Sequence, residues 1–170
     1  FIADEYEVTR EAMDRYALSS HHKAIAAIEG GKFKDEIVPV QVNGRKGETS
    51  IVEQDEAPRR DTSLEALAKL RPAFKSDGRV TAGNAPGLND AASALVIASE
   101  ARAKAMGAQL LARIVGYTQV AVEPKYIFDA PAKAIPRLLT RVGWRLDEVD
   151  LIELNEAFAV VGIENSRRMK

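Results

Sequence analysis

The chain has 170 residues and a formal net charge of −1, and it combines 46% hydrophobic with 29% charged residues. These ordinary globular proportions argue against disorder, and the interspersed charges give no broad attraction to nucleic acid or to an anionic membrane. No apolar run approaches the roughly 18 residues that span a bilayer, which predicts a soluble protein. The absence of cysteine excludes disulfides, thiolate metal sites and a cysteine nucleophile within the chain.

The first third of the chain is predicted to hold one long helix and two short strands. Its start, FIADEYEVTREA, has the features of neither a signal peptide nor a transit peptide, and because no initiator Met is present we expect the sequence to begin inside a longer protein. Thr9 is placed to cap a helix that ends at Gly30-Gly31. EIVPVQV (36–42), interrupted by Pro39, predicts an edge strand, and VNGRKGETSIV predicts a turn followed by a second strand.

The middle of the chain is predicted to alternate between helix, turn and strand. Thr62 and Glu65 have the spacing of a capping box, which predicts a short helix that Pro72 ends. RVTAGNAPGLND predicts a strand followed by a glycine-rich turn. AASALVIAS (91–99) is apolar on both faces, as in a strand covered on both sides, and EARAKAMG predicts a helix closed by Gly107.

The last third repeats this alternation. LLARIVGYTQVAV (110–122) and VDLIEL (149–154) each predict a strand, and an amphipathic helix ending at Gly143 lies between them. Pro136 is expected in the first turn of that helix, where a missing N–H is harmless. Strands that alternate with helices predict an α/β architecture rather than a helical bundle.

Three places carry polar residues with possible chemical roles. His21 and His22 are adjacent on a helix and therefore face different ways, so we interpret them as solvated surface and predict no metal site there. TAGNAPGLND (81–90) is open to two readings. Its small residues allow close approach of a ligand to the backbone, or it is a plain turn in which Asn89 or Asp90 caps a helix. It contains neither GxGxxG nor a Walker lysine, so no nucleotide-phosphate cradle is predicted.

LNEAF (154–158) is equally open when spacing alone is considered. Asn155 can be the N-cap of a helix that follows the predicted strand, with Glu156 favoured by the helix dipole. The carboxyl end of a strand is also where open α/β sheets bind ligands, and an Asn amide there can hold a water or an oxyanion.

Taken together, three segments resemble the thiolase family of acetyl-CoA acetyltransferases and 3-ketoacyl-CoA thiolases. They are ALSSHHKAIAAIEGGKFKDEIVPV, RRDTSLEALAKLRPAFKSDGRVTAGNAPGLNDAASALVIASE and GWRLDEVDLIELNEAFAV. The resemblance implies part of a layered αβαβα thiolase fold. Residues 1–80 would be most of the loop domain that covers coenzyme A, 81–109 the end of the N-terminal core domain, and 110–170 the first part of the C-terminal core domain.

The resemblance also implies the activity. Thiolases transfer acyl groups between acyl-CoA molecules, by Claisen condensation or by thiolytic cleavage of a 3-ketoacyl-CoA, and acetyl-CoA C-acetyltransferase is the activity we expect. One cysteine carries the acyl group and a second moves the substrate α-proton. One oxyanion hole is formed by a histidine and by a water that the Asn of NEAFA holds, which is Asn155 here. The resemblance thus implies Asn155 as the catalytic residue.

The residues implied to bind coenzyme A come mainly from the LRPAF and TAGNAPGL segments. Pro86 stands where many thiolases have a Ser, so one hydrogen bond to the pantetheine chain is missing and Pro86 is expected only to line the tunnel. Arg59 takes the place of a cation near the nucleotide end. The full set implied to bind the substrate is Arg59, Leu70, Ala73, Phe74, Ala82, Gly83, Ala85, Pro86, Leu88, Ala157 and Phe158.

Further expectations concern partners, compartment and completeness. The coenzyme A thioester is expected as a substrate, with no tightly bound cofactor and no metal. We expect a homodimer or homotetramer in the cytoplasm that acts in fatty acid metabolism, without nucleic-acid or membrane partners. Because the cysteine and histidine motifs of the family are missing, the chain is expected to be an internal portion that is inactive alone. The alternatives are a non-catalytic thiolase-like protein that binds acyl-CoA or lipid, and a partner subunit of a split thiolase.

Overall fold

The structure, a computed structural model, describes residues 1–44 and 47–169, which form two compact units. The first unit consists of Phe1, Ala3–Gly87 and Glu156–Ile163. The second consists of Ile2, Leu88–Asn155 and the C-terminal residues from Glu164. Within the described ranges, no helix is both long enough and apolar enough to cross a membrane.

The long predicted helix is confirmed. After a short helix α1 (Ile2–Glu5), helix α2 spans Arg10–Glu29. Thr9 is its N-cap, and the Thr9 hydroxyl accepts a hydrogen bond of 3.1 Å from the backbone N–H of Ala12. Gly30 closes the helix, with its N–H bonded to the carbonyl of Ala26 at 2.9 Å. Local capping chemistry therefore determines both ends of α2.

A two-stranded hairpin follows, with bounds that differ from those predicted. Strand β1 is Val40–Asn43 and strand β2 is Thr49–Val52, paired antiparallel with Val40 opposite Val52. The predicted first strand was wrong at its start, because β1 begins only after Pro39, whose missing N–H cannot join a ladder. Arg45 and Lys46 of the predicted turn lie outside the described residues.

Helix α3 (Leu64–Ala68) is as short as predicted, but its cap is different. Ser63, not Thr62, is the N-cap, and its hydroxyl accepts a hydrogen bond of 3.2 Å from the N–H of Ala66. The predicted strand before the glycine-rich turn is reduced to a single antiparallel bridge between Pro72 and Thr81.

The core of the first unit lies where α2, α3 and the start of helix α6 (Ala159–Arg168) bury their apolar side chains. The most deeply buried apolar residues of this unit include Val8, Met13, Leu67 and Val161. Three polar residues, Asp14, Thr81 and Asn84, are buried with them. Buried polar groups need hydrogen-bond partners, and in the described part of the chain every buried side-chain N and O atom has one.

The second unit contains helices α4 (Glu100–Ala105) and α5 (Ala130–Val142) and two 3₁₀ helices, Pro124–Asp129 and Leu146–Glu148. As predicted, Gly143 ends α5, in the left-handed conformation (φ 73°) that favours glycine. Pro136 does not lie in the first turn, however. The helix begins six residues earlier than that placement requires, at Ala130, so Pro136 is an interior residue that removes one helical hydrogen bond.

The three strands predicted at 91–99, 110–122 and 149–154 are wrong for this chain, since the structure has no strand at any of them. Their apolar side chains are exposed: Val96 is 98% exposed, Leu111 89% and Leu151 83%. A strand exists only when a neighbour completes its ladder of hydrogen bonds, and the described residues supply none to these segments. In this chain the three apolar runs are therefore extended segments whose apolar side chains are largely not covered by other described residues.

One face of the 110–122 segment is nevertheless covered by α5. A Cβ on Gly116 would lie 2.5 Å from Val142 Cγ1 and 3.4 Å from Leu138 Cδ1, so the backbone approaches the helix closely. Arg141 donates a hydrogen bond of 2.9 Å to the carbonyl of Tyr117 and also stacks over its ring. An α/β fold packs helices on a sheet. Here the helix packs on the extended segment, but the described residues supply no neighbouring strand that would make this segment part of a sheet.

Candidate active site

The small-residue turn 81–84 packs directly against the segment that follows α3. A Cβ on Gly83 would lie 2.7 Å from Leu70 Cδ1 and would overlap the end of Leu67, so a larger residue here would push these leucine side chains aside. The N–H of Ala73 donates to the carbonyl of Val80 at 2.8 Å, which fastens the two segments side by side. The structure thus brings together the LRPAF and TAGN residues that the resemblance groups at the pantetheine arm.

The same turn also touches the start of helix α6. The N–H of Ala159 donates to the carbonyl of Asn84 at 3.0 Å. Ala157 and Phe158, which precede that contact, are half-buried. Residues 75 positions apart are joined here, since one belongs to TAGN and the other to NEAFA.

Asn155 is not the N-cap of a helix. Helix α6 begins at Ala159, and residues 157–158 form a bend, so the capping interpretation of Asn155 was wrong. The capping interpretation of Asn89 and Asp90 was wrong for the same kind of reason, since the next helix begins at Glu100 with Ser99 as its cap. The Asn155 side chain is exposed, and within residues 1–44 and 47–169 it makes no hydrogen bond. Its amide is therefore available to a ligand or a water.

Glu156, next to Asn155, is held by helix α2. Its carboxylate accepts a short hydrogen bond from the hydroxyl of Tyr16. Tyr16 also packs against Gly162 of α6, where an added Cβ would overlap the phenol. Glu156 is thus a hydrogen-bonding residue of the first unit, whereas Asn155 and Leu88 belong to the second unit. Leu88 itself is fully exposed.

The two neighbouring arginines of the PRRDT segment differ in their partners. Arg60 forms an ion pair with Glu29. In the described part of the chain the Arg59 guanidinium has no ion pair, and it is exposed. The Arg59 backbone N–H donates to Nδ1 of His21 at 3.2 Å, which holds this loop against α2. Of the two arginines, Arg59 is therefore the one free to meet an anionic ligand.

His21 provides a pH-dependent contact in this loop. Partial burial lowers the pKa of His21, and the nearby charges of Arg59 and His22 act in the same direction. As the pH falls through about 6.5, His21 therefore becomes protonated in the unfolded chain before it does in the folded chain. The contribution of neutral His21 to the free energy of unfolding is present above that pH and is lost below it.

We expect the urea midpoint of the full-length protein to fall less in His21→Gln than in the unsubstituted protein between about pH 7.5 and about pH 5.5. Lys23→Gln, on an exposed residue of the same helix that is not among the causes of the His21 shift, is the control and should keep the unsubstituted pH dependence. Equal pH dependence in all three proteins would show that His21 contributes nothing to it.

Among the described residues, no group of three or more acidic, His or Cys side chains could hold a metal ion. A shallow open groove lies along α2 and contains none of the predicted site residues. The groove is lined by Arg15, Leu18, Ser19, His22, Lys23, Ala26 and Leu64.

Sequence reasoning missed three residues that hold the site: Asp14, Tyr16 and Asn84. Asn84 lies inside TAGNAPGLND, where the small residues indicate close approach of a ligand but the amide gives no sign of its buried partners. Asp14 is four residues after Arg10, a helical ion-pair spacing that gives only a weak signal. Tyr16 lies in the second turn of α2, and nothing in the sequence around it indicates its bond to Glu156.

Comparison with known proteins agrees with this geometry. The family model described as "Thiolase, N-terminal domain" matches residues 1–101, and the one described as "Thiolase, C-terminal domain" matches residues 108–170. An acetyl-CoA acetyltransferase of Pseudomonas aeruginosa is 51% identical over 168 residues, which are 99% of this chain and 43% of that relative. The chain therefore spans less than half the length of this curated relative.

Solved structures match equally well. The crystal structure of an acetyl-CoA acetyltransferase of Bacillus anthracis superposes with a TM-score of 0.94 at 47% identity, covering 99% of this chain and 42% of that one. Human mitochondrial 3-ketoacyl-CoA thiolase superposes with a TM-score of 0.92 at 42% identity, with the same coverage of both chains. The predicted α/β thiolase fold is thereby confirmed for the part of the fold that this chain represents. Since both family models and these relatives match across nearly its whole length, the chain belongs to the thiolase family.

Proposed function

We propose that the full-length protein carrying this chain transfers acyl groups between coenzyme A thioesters, by Claisen condensation or by thiolytic cleavage of a 3-ketoacyl-CoA. The observation that carries the proposal is the hydrogen bond of 3.0 Å between Ala159 N and Asn84 O, which joins the two motifs of the family in one place. The relatives named acetyl-CoA acetyltransferase favour acetyl-CoA as the acyl donor.

The small-residue turn is suited to an extended, neutral pantetheine arm. Ala82, Gly83 and Ala85 present little side chain, so a ligand can reach the backbone N–H and C=O groups there. Pro86 and Leu88 follow this turn along the chain and are proposed to line the tunnel. The segment 70–74 lies beside the turn, with Leu70, Ala73 and Phe74 exposed and apolar enough to contact the arm.

Asn155 is proposed to act at the reacting carbonyl. Condensation and cleavage both place negative charge on a thioester oxygen, and no metal is required where fixed hydrogen-bond donors meet that oxygen. The free amide of Asn155 can hold the water that donates to it. Ala157 and Phe158, two and three residues further along the chain, are apolar, and apolar surface around such a site in the full-length protein would exclude bulk water and strengthen these bonds. The cysteines and the histidine would come from other parts of the full-length protein.

At the nucleotide end we propose that Arg59 meets the phosphates of coenzyme A. An exposed guanidinium without an ion pair among the described residues keeps its charge for an anionic ligand. Arg60 is a weaker candidate, because it is already paired with Glu29.

The remaining features of the whole protein are proposals of the same kind. We divide the chain into residues 1–80 of the loop domain, 81–109 of the N-terminal core and 110–170 of the C-terminal core. The uncovered apolar segments at 91–99 and 110–122 support further layers and a homodimer or homotetramer. Coenzyme A thioesters would be substrates rather than tightly bound cofactors. We place the protein in the cytoplasm, in fatty acid metabolism.

The test is thiolysis of acetoacetyl-CoA by coenzyme A, followed as acetyl-CoA formed. We expect the full-length protein to be active and the isolated 170-residue chain to show no turnover, because the chain contains no cysteine to carry the acyl group. Activity of the isolated chain would contradict the proposed chemistry. A full-length protein that binds coenzyme A without turnover would instead be a non-catalytic binder.

A further inference from the structure

The buried side chain of Asn84 makes three hydrogen bonds in the first unit. Its Oδ1 accepts from the N–H of Thr81 at 2.9 Å, and its Nδ2 donates to the carbonyl of Arg79 at 3.1 Å and to Oδ1 of Asp14 at 2.9 Å. Only one orientation of the amide satisfies a backbone donor on one side and a backbone acceptor on the other. Asn84 is 3% exposed, so these bonds do not compete with water.

Asp14 is the other half of this contact and is equally buried, at 3% exposure. Its Oδ2 accepts from Nε of Arg10 at 2.7 Å. Arg10 in turn donates to the carbonyls of Leu67 and Leu70, at 2.6 Å and 3.2 Å. The buried carboxylate is therefore compensated by a guanidinium, and the pair extends from α2 to the segment that packs on Gly83.

The connection also reaches the second motif. While the amide of Asn84 is held by Asp14, the backbone carbonyl of Asn84 accepts the N–H of Ala159 at 3.0 Å. One buried residue thus determines the position of the 81–84 turn and of the first turn of α6 together. A shift of residue 84 that moves its backbone would move both surfaces proposed to contact the substrate.

We infer that Asp14 and Asn84 are a positioning pair for the coenzyme A thioester, an inference that rests on the proposed function. Neither side chain is exposed enough to touch the substrate. Asp14 holds Asn84, and Asn84 holds the turn whose small residues face the pantetheine arm. Productive geometry at a bound substrate tolerates displacements of only about 0.5 Å, which explains the use of buried, fully hydrogen-bonded side chains at this position.

The experiment compares Asn84→Asp, Asp14→Asn, the double variant D14N/N84D and the control Glu11→Gln in the full-length protein. The dissociation constant for coenzyme A is measured by calorimetry, KM and kcat by thiolysis, and the unfolding midpoint by urea. Asn84→Asp places a carboxylate opposite the carboxylate of Asp14, and the new side chain cannot donate to the backbone carbonyl of Arg79. We therefore expect the affinity for coenzyme A to fall about tenfold or more, with a matching rise in KM.

The double variant restores a donor on residue 14 facing an acceptor on residue 84, but residue 84 still cannot donate to the Arg79 carbonyl, so we expect it to recover part of the lost affinity. Glu11→Gln makes the same acid-to-amide change on an exposed residue of α2 and should leave every constant unchanged. If Asn84→Asp alone does not fold, Asp14→Asn and the double variant provide the same comparison.

The outcomes separate this inference from the proposed function. Suppose that the full-length protein catalyses thiolysis and that the variants lose only unfolding stability, with KM and affinity for coenzyme A unchanged. The pair would then be merely structural, and the inference would be overturned. Protein that binds coenzyme A without turnover, and binds it more weakly in Asn84→Asp, would overturn the proposed activity and support the pair. Protein that neither binds coenzyme A nor turns over would overturn both.

Discussion

Replacement of Asn155 by alanine in the full-length protein is expected to lower the turnover of thiolysis by about 10²-fold or more, the usual cost of losing an oxyanion-hole donor. The Asn155 amide is exposed and makes no hydrogen bond to the described residues, so its removal should disturb little of the fold. The loss should appear in kcat rather than in KM, because the charge on the thioester oxygen develops only in the transition state.

Asn43→Ala is the matched control, since it removes an exposed amide on strand β1 that has no proposed contact with substrate. It should leave kcat and KM unchanged. Unchanged turnover in Asn155→Ala, measured on protein with the unsubstituted unfolding midpoint, would remove Asn155 from the chemistry.

Gly162→Ala is expected to destabilise the full-length protein by about 1–3 kcal/mol, measured as the free energy of unfolding in urea. In a helix interior, glycine is ordinarily less stable than alanine by about 0.5–1 kcal/mol, so helix propensity alone predicts the opposite sign. The difference comes from Tyr16, whose phenol occupies the space that a Cβ on Gly162 would need. The same overlap would push Tyr16 away from Glu156.

A double-mutant cycle with Tyr16→Leu tests this cause. Gly162→Ala should cost clearly less in the Tyr16→Leu background, because the rigid ring is gone. Ser166→Ala, on the exposed face of the same helix, should be nearly neutral. Stabilisation by Gly162→Ala would show that the ring moves aside without cost, and equal costs in the two backgrounds would assign the effect to another neighbour.

Helix ends were the most predictable part of the fold. Thr9, Gly30 and Gly143 were identified correctly because a cap depends on residues within about one turn of the chain. The exceptions show the limit of such reasoning. Thr62 and Ser63 are adjacent and both suit a cap, and only the backbone conformation decides that Ser63 is used.

Strands were less predictable, since a strand is a relation between two segments. The apolar runs at 91–99 and 110–122 have the composition of covered strands, yet they have no ladder in the described residues and expose Val96 and Leu111. Composition measures what a segment would gain from burial, not whether a partner is present. The hairpin β1–β2 formed because its two strands are neighbours along the chain.

The motifs TAGNAPGLND and NEAFA can be recognised from residue types and their order alone. Together with their neighbouring segments they indicate the family and the residues proposed to contact the substrate. Which side chains hold those motifs in place was decided by the tertiary structure. Asp14 and Asn84 are 70 residues apart, and Tyr16 and Glu156 are 140 apart. The Asp14–Asn84 pair forms because packing of α2 against the turn brings polar atoms into a buried space, where the cost of an unpaired polar group selects the partner. The more exposed Tyr16–Glu156 pair forms where α2 meets the residues that precede α6.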